Sequence, residues 1–144
     1  MAWIQPVIDY GVMGVLIMMS IIAVAIAIER YLSYRDIRLQ DYPDRTTLEI
    51  TLTQRLHLIA AIGSNAPYIG LLGTVLGIMA TFYIIGAEGY MDTGKIMVGL
   101  AMALKATAVG LGVAIPAIVL YNLLLRRVRV LVANWEIAHG RKGI

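Results

Sequence analysis

Three long apolar stretches constrain the fold of this chain more than any other feature of its sequence. They cover residues 10–28, 58–87 and 96–125, and Lys105 is the only formal charge within them. A helix rises about 1.5 Å per residue, so even the shortest stretch is just long enough to cross a hydrocarbon core of about 30 Å. The pattern predicts an all-α membrane protein with three transmembrane helices, at approximately residues 10–28, 67–86 and 97–125.

The composition excludes most soluble functions. Of the 144 residues, 60% are hydrophobic and 15% are charged, and the mean hydropathy is +0.79. Soluble domains have about 45–50% apolar and about 25% charged residues, so the apolar surplus is too large for one soluble core and we expect no enzyme. The chain has no cysteine, and His57 and His139 lie far apart, so neither a metal site nor a cofactor is expected.

The distribution of positive charge predicts the orientation. No Lys or Arg precedes the first span and only Lys95 lies between the second and third, whereas five arginines separate the first two spans and five basic residues follow residue 125. Cytoplasmic segments carry the excess of Lys and Arg, so the N-terminus is predicted to be periplasmic and the C-terminus cytoplasmic. This explains the net charge of +3 without nucleic acid. The predicted cytoplasmic anchors are Arg30, Arg126 and Arg127.

The segments outside the spans are short, so residues 1–144 are predicted to form a single membrane domain. Charged residues follow the first stretch as in a stop-transfer flank, which favours an uncleaved span over a signal peptide. Short cytoplasmic helices are predicted in 29–65 and 126–139. The first helix is expected to continue to about residue 40 and the third to about His139, and the long second and third helices are predicted to extend into the cytoplasm.

Two local patterns predict where the second long helix starts. Thr46 and Glu49 fit a capping box, which opens a helix leading toward the second span. Pro67 follows Ser64 and Asn65 and is expected to separate a cytoplasmic helix from that span, because proline is favoured at the first position of a helix.

Small residues line one face of each of the last two spans. Gly70, Gly73 and Gly77 share a face of the second span, and Gly110 lies in a stripe of glycine, alanine and threonine along the third. Such faces let membrane helices approach closely. Helix packing is therefore the expected role of these glycines.

Threonines lie beside these small residues. Thr74 and Thr81 are seven residues apart on a neighbouring stripe of the second span, and Thr107 lies on the small-residue stripe of the third. Each hydroxyl either bonds a carbonyl of its own helix or faces a narrow lumen. No Asp or Glu lies within the three spans. If the chain takes part in proton conduction, the titratable group must therefore come from another chain.

Two residues of the third span have other chemistry. Pro116 removes one helical hydrogen bond and acts either as a passive kink or as a hinge. Lys105 is an intramembrane charge, which is a functional hypothesis by default. At about 100° per residue it points about 160° away from Thr107. It therefore either snorkels or pairs structurally, or it takes part in energy coupling.

The second and third spans resemble the two signature helices of the MotA/TolQ/ExbB proton channel family. The second reads APYIGLLGTVLGIMATF and the third reads VGLAMALKATAVGLGVAIPAIVLYN. The resemblance covers residues 66–122, with a weaker match at Glu29 and Arg30, and it is greatest to ExbB and TolQ. It departs from the family pattern at Met102, where many relatives have a glutamate, and at Lys105, which is an added charge.

The resemblance implies an energiser of the inner membrane of a Gram-negative bacterium. It implies a homopentamer around single-span partners of the ExbD type, which supply a membrane aspartate. Proton flow would then drive mechanical work on a TonB-like protein, for uptake through outer-membrane receptors. The two lumen threonines of the family correspond to Thr74 and Thr107.

Three alternatives remain open at this point. The chain is a subunit of the TolQ type in the Tol envelope system, or a non-conducting membrane scaffold, or an unrelated transporter subunit that binds an anionic solute at Lys105.

Overall fold

The computed structural model describes residues 3–89 and 92–140. These residues form four α-helices and one 3-10 turn, at residues 39–41. The helices are α1 (Ile4–Arg35), α2 (Arg45–Leu52), α3 (Leu56–Glu88) and α4 (Thr93–Gly140). Three of them, α1, α3 and α4, are long and apolar enough to cross a membrane. The prediction of an all-helical chain with three such helices is confirmed.

The long helices exceed what a bilayer requires. With 32, 33 and 48 residues, α1, α3 and α4 are about 48, 50 and 72 Å long, against a hydrocarbon core of about 30 Å. The helices α3 and α4 form a hairpin with the largest interface of the fold, and α1 packs against both. We call the end with the α3–α4 connection the turn end, and the opposite end, with Arg126 and Arg127, the arginine end. Arg141 and Lys142 lie outside the described residues.

The prediction that Pro67 separates two helices is wrong, because α3 runs through it without a break. Proline removes one backbone donor, and membrane helices tolerate this where nearby groups satisfy the backbone. The carbonyl that loses its helical donor is that of Gly63, four residues earlier, whereas Ser64 Oγ and Asn65 Nδ2 donate to the Ala61 carbonyl, at 3.2 and 2.8 Å. One missing hydrogen bond does not end a helix of 33 residues. The chain breaks instead just before α3, at Arg55, which adopts a left-handed conformation with φ 64°.

The C-terminus of α1 and the N-terminus of α2 also differ from the prediction. The helix α1 ends at Arg35 rather than near residue 40, because Ile37 and Leu39 turn inward and pack against the core. The cap of α2 is Asp44, not Thr46: the Asp44 carboxylate accepts from the Thr47 amide at 2.6 Å. That hydrogen bond holds the pKa of Asp44 below its usual value.

The main core lies at the arginine end. It joins α1, α2, α3 and α4, and Leu48, Leu52 and Ile59 are almost wholly buried within it. Two polar contacts fasten the α1–α2 segment to the end of α4: Trp135 Nε1 donates to the Tyr42 carbonyl at 3.1 Å, and Arg45 pairs with Glu136 at 2.9 Å. The long extension of α4 is therefore part of a packed unit.

Candidate functional site

The backbones of α3 and α4 touch through glycine. A Cβ placed on Gly70 would lie 2.6 Å from the Ala106 carbonyl oxygen, and a Cβ on Gly110 would lie 2.8 Å from that of Ala66. Neither distance is compatible with a methyl group. The small residues thus allow main-chain contact between the two helices, and we call this contact line the seam.

The seam continues toward the turn end through two further glycines. A Cβ on Gly77 would lie 2.8 Å from the Ala103 methyl. A Cβ on Gly73 would meet Ala106 at 2.8 Å and Val12 of α1 at 2.9 Å. Gly73 therefore lies where α1 crosses the seam. All four glycines singled out in the sequence lie at helix contacts.

Thr74 and Thr107 meet across the seam. Thr74 is 7% exposed, and its hydroxyl lies within hydrogen-bonding distance of the Thr107 hydroxyl, of the Ala103 carbonyl at 2.8 Å and of the Gly70 carbonyl at 3.3 Å. A hydroxyl donates one proton and can accept two hydrogen bonds, so Thr74 can donate to one of the two carbonyls while it accepts from the Thr107 hydroxyl, or it can donate to Thr107 instead. Thr107 is only partly buried. The pair therefore forms a short hydroxyl chain from the buried seam toward a more exposed position.

Thr81 is held separately, about 10 Å farther along α3 from Thr74. Its hydroxyl donates to the Gly77 carbonyl at 2.9 Å and accepts from Gln5 Nε2 of α1 at 2.8 Å. Thr81 is 4% exposed and fills the space above Gly99. It joins all three long helices near the turn end, a role that its shared stripe with Thr74 does not indicate. Gln5 carries no sequence signal beyond being a polar residue beside an apolar stretch.

Lys105 points away from the seam, as its helical position predicts. Its Nζ lies 3.8 Å from Asp9 Oδ2 of α1, and its side chain is 48% exposed. A partly exposed pair at this distance contributes about 0–1 kcal/mol. Of the roles considered for Lys105, the geometry fits structural pairing. The charge of Asp9 also partly neutralises any attraction of Lys105 for an anion.

The remaining candidates lie away from the threonine pair. Pro116 is exposed within an unbroken α4. Arg126 and Arg127 are exposed at the arginine end. Arg30, the third predicted cytoplasmic anchor, is only 5% exposed, unlike Arg126 and Arg127. It bonds Glu29 and the Thr51 carbonyl, the latter at 3.1 Å, and so ties α1 to α2.

The site contains hydroxyls and carbonyls but no titratable group of its own. Within residues 3–89 and 92–140, no group of three or more His, Cys, Asp or Glu side chains is placed to hold a metal ion. Threonine hydroxyls bind water and pass protons along hydrogen bonds, but they do not ionise near neutral pH. The geometry therefore suits a relay or a water site that works with a carboxylate from elsewhere.

Comparison with known proteins identifies the family. Residues 35–137, which include α2, α3 and most of α4, match the MotA/TolQ/ExbB proton channel family. The chain belongs to this family. The resemblance of its second and third spans to the family's signature helices is therefore confirmed, and the family is one of channel and transport proteins.

The relatives are similar to the chain over almost its whole length. The biopolymer transport protein ExbB of Aquifex aeolicus is 57% identical over 137 residues, which is 95% of this chain and 93% of that protein. A putative biopolymer transport protein, ExbB-like 2, of Helicobacter pylori is 56% identical over 94% of this chain and 90% of its own length. The ExbB of Helicobacter pylori strain J99 is 48% identical over 95% of this chain. The chain is thus ExbB-like.

Proposed function

We propose that this chain is a proton-channel subunit of an ExbB-like energiser, in which Thr74 and Thr107 face the ion pathway. The observation that carries the proposal is the contact of their hydroxyls across the seam. The three spans, residues 10–28, 67–86 and 97–125, contain no Asp or Glu. These hydroxyls are therefore the groups of this chain best suited to hold water or to pass protons to a carboxylate supplied by a partner.

The proposed assembly is a homopentamer in the inner membrane of a Gram-negative bacterium. The turn end faces the periplasm, since Lys and Arg are concentrated at the arginine end. The seam lies near the lumen, where single-span partners of the ExbD type bring a membrane aspartate. A TonB-like protein receives the mechanical work and drives uptake through outer-membrane receptors. The relatives named biopolymer transport protein support this role.

The ExbB type is favoured over the TolQ type by the names of the relatives that match almost the whole chain. A non-conducting scaffold would need the glycine contacts but not the two hydroxyls. The decisive test therefore removes the hydroxyls and leaves the glycines in place.

The test compares two double variants in a strain that expresses the chain with its candidate partners. Thr74→Val with Thr107→Val removes both hydroxyls at nearly constant volume, whereas Thr74→Ser with Thr107→Ser keeps both hydroxyls. We expect the valine variant to lose at least about 90% of energised uptake and of proton flux into vesicles, since valine has no hydroxyl that could hold water or pass a proton. The serine variant should retain most of both activities.

Native mass of the purified complex is the control for assembly in both variants. Full uptake and flux by an assembled valine variant would overturn the proposed role of the hydroxyls and favour the scaffold. Loss of flux in an assembled valine variant, with flux retained in the serine variant, supports a proton pathway through Thr74 and Thr107.

A further inference from the structure

A large cavity opens at the turn end between α1 and the α3–α4 hairpin. Its volume is about 730 Å³, which is room for about two dozen waters at about 30 Å³ each. We call it the inlet cavity. Its inner wall is formed by the small residues of the seam: Gly73, Gly77, Ala103 and Ala106.

The inlet cavity reaches the back of the threonine pair. Gly73 and Ala106 line it, and they are the chain neighbours of Thr74 and Thr107. Ala103 also lines it, and the carbonyl of Ala103 lies 2.8 Å from the Thr74 hydroxyl. Since glycine and alanine add little side-chain volume, only about one layer of main chain separates the cavity from the hydroxyls.

Polar groups accompany this path from the mouth inward. The described residues around the mouth include Glu88, Asp92 and Lys95, and Asp9 and Gln5 line the wall provided by α1. Farther in, Gln5 bonds the Thr81 hydroxyl at 2.8 Å. A water in a protein cavity needs two to four polar partners, and these side chains, with the Thr81 hydroxyl, provide them. Glu88, Asp92 and Asp9 face Lys95 across the lining, and Lys105 lies 3.8 Å from Asp9. The two carboxylates at the mouth therefore leave a small negative excess, which is attractive to cations.

We propose that the inlet cavity is a water-filled passage by which protons from the turn-end side reach Thr74 and Thr107 from behind the seam, within a single subunit. Each water on the path accepts one proton and releases another, so no other reactant is consumed. This inference rests on the proposed function in one respect, namely that the protons are delivered to the threonine pair. Water in the cavity can be tested independently of any proton flux.

The chain contains no cysteine, so single cysteines report water access without background from this chain. Val12 lines the inlet cavity against Gly73, whereas Val15, one turn along α1, is 40% exposed and does not line it. We would prepare Val12→Cys and Val15→Cys in the assembled complex in lipid nanodiscs. A second matched pair on α4 is Met102→Cys, which lines the cavity, and Leu104→Cys, which does not.

Each variant is treated with membrane-impermeant methanethiosulfonates of positive or negative charge. Thiolates form in water and not in hydrocarbon, so the cavity cysteines should be modified while Val15→Cys and Leu104→Cys stay unmodified. The cationic reagent should react about ten times faster than the anionic one at Val12→Cys. Replacing Glu88→Gln and Asp92→Asn together should remove most of that preference.

Two labelling results would overturn the proposal that the inlet cavity is a water-filled passage. Reaction of Val12→Cys with an uncharged, membrane-permeant maleimide alone would mean that lipid chains fill the cavity. Equal reaction of Val12→Cys and Val15→Cys would mean that water reaches this part of α1 generally and not through the cavity.

Proton flux after labelling separates the inlet from the proposed function. Modification of Val12→Cys should reduce flux several-fold by filling the passage. Suppose that labelling of Val12→Cys leaves the flux unchanged, while the flux is still lost when the threonine hydroxyls are removed. That result would overturn the role of the inlet cavity as a proton passage, but not the proposed function. Suppose instead that Val12→Cys is accessible to water but that the flux does not depend on the hydroxyls of Thr74 and Thr107. The cavity would then be water-filled, but the threonine pair would not be where its protons go, and the proposed function would be overturned.

Discussion

Gly70 and Gly86 belong to the same helix, yet the space around them differs completely. A Cβ on Gly70 would lie 2.6 Å from the Ala106 carbonyl oxygen, which is main chain and cannot rotate away, whereas a Cβ on Gly86 would meet nothing within 4 Å. We expect Gly70→Ala to lower the free energy of unfolding by about 1–3 kcal/mol, the usual cost of overpacking. Gly86→Ala should leave it unchanged or raise it by up to about 1 kcal/mol, because alanine favours helix.

Thermal unfolding in detergent, followed by tryptophan fluorescence, measures both changes. Equal melting temperatures for the Gly70→Ala and Gly86→Ala variants would contradict the close contact of α3 and α4 at Gly70.

At the residue scale, the sequence predicts which face of a helix a side chain occupies better than it predicts which residue that side chain contacts. Spacing alone places Gly70, Gly73 and Gly77 on one side of a helix, since the helical repeat is fixed. It also directs Lys105 away from Thr107. It cannot select Asp9 as the partner of Lys105, nor Gln5 as that of Thr81, because such contacts depend on how α1 is placed against the hairpin. That placement is set by tertiary packing and not by local periodicity.

At the scale of elements, α2 is short and owes its position to burial. A helix of 8 residues is too short to be stable in isolation, but Leu48 is fully buried while Ile50 is 61% exposed. We expect Leu48→Ala to lower the free energy of unfolding by about 2–5 kcal/mol, the usual cost of removing a buried leucine side chain. Ile50→Ala in the same helix should have less than about a quarter of that effect, because Ile50 faces outward.

Limited proteolysis at residues 36–55, together with the melting temperature, measures the docking of α2. Rapid cleavage of Leu48→Ala but not of Ile50→Ala is the expected result. Similar cleavage of the two variants would show that burial of Leu48 does not hold the segment.

The ends of the elements were predicted less well than the elements themselves. Hydropathy identifies the three long helices because a bilayer demands about 20 apolar residues from each. Pro67 was expected to divide α3, but the helix continues through it, and the break occurs at Arg55, whose left-handed conformation no sequence rule for arginine predicts. The turn is imposed by the packing of Leu52 and Leu56 into one core. Nonlocal burial therefore sets the end of α1 and the break between α2 and α3.

At the scale of the whole molecule, the isolated chain leaves much apolar surface uncovered. Large side chains on α3 and α4 are more than half exposed, among them Tyr68, Met79, Phe82, Ile115 and Leu123. A surface of this kind is stable only against lipid or other subunits. These five residues lie within the predicted spans, but Leu58 and Ile137 lie outside them and are 41% and 55% exposed. Part of the apolar surface is therefore predicted to lie beyond the membrane. In the proposed pentamer, neighbouring chains cover this apolar surface outside the membrane.

Native mass spectrometry of the complex, co-expressed with its candidate single-span partner, tests this assembly. We expect five copies of this chain, as in the proposed pentamer. We also expect at least one partner chain, because the spans of this chain lack the carboxylate that the proposed proton pathway needs. As a control, a partner whose membrane aspartate is replaced by asparagine should still be retained, since it keeps its shape, but its complex should conduct no protons. A monomer or dimer that retains neither the native partner nor its asparagine variant would contradict both the pentamer and an enclosed lumen beside the seam.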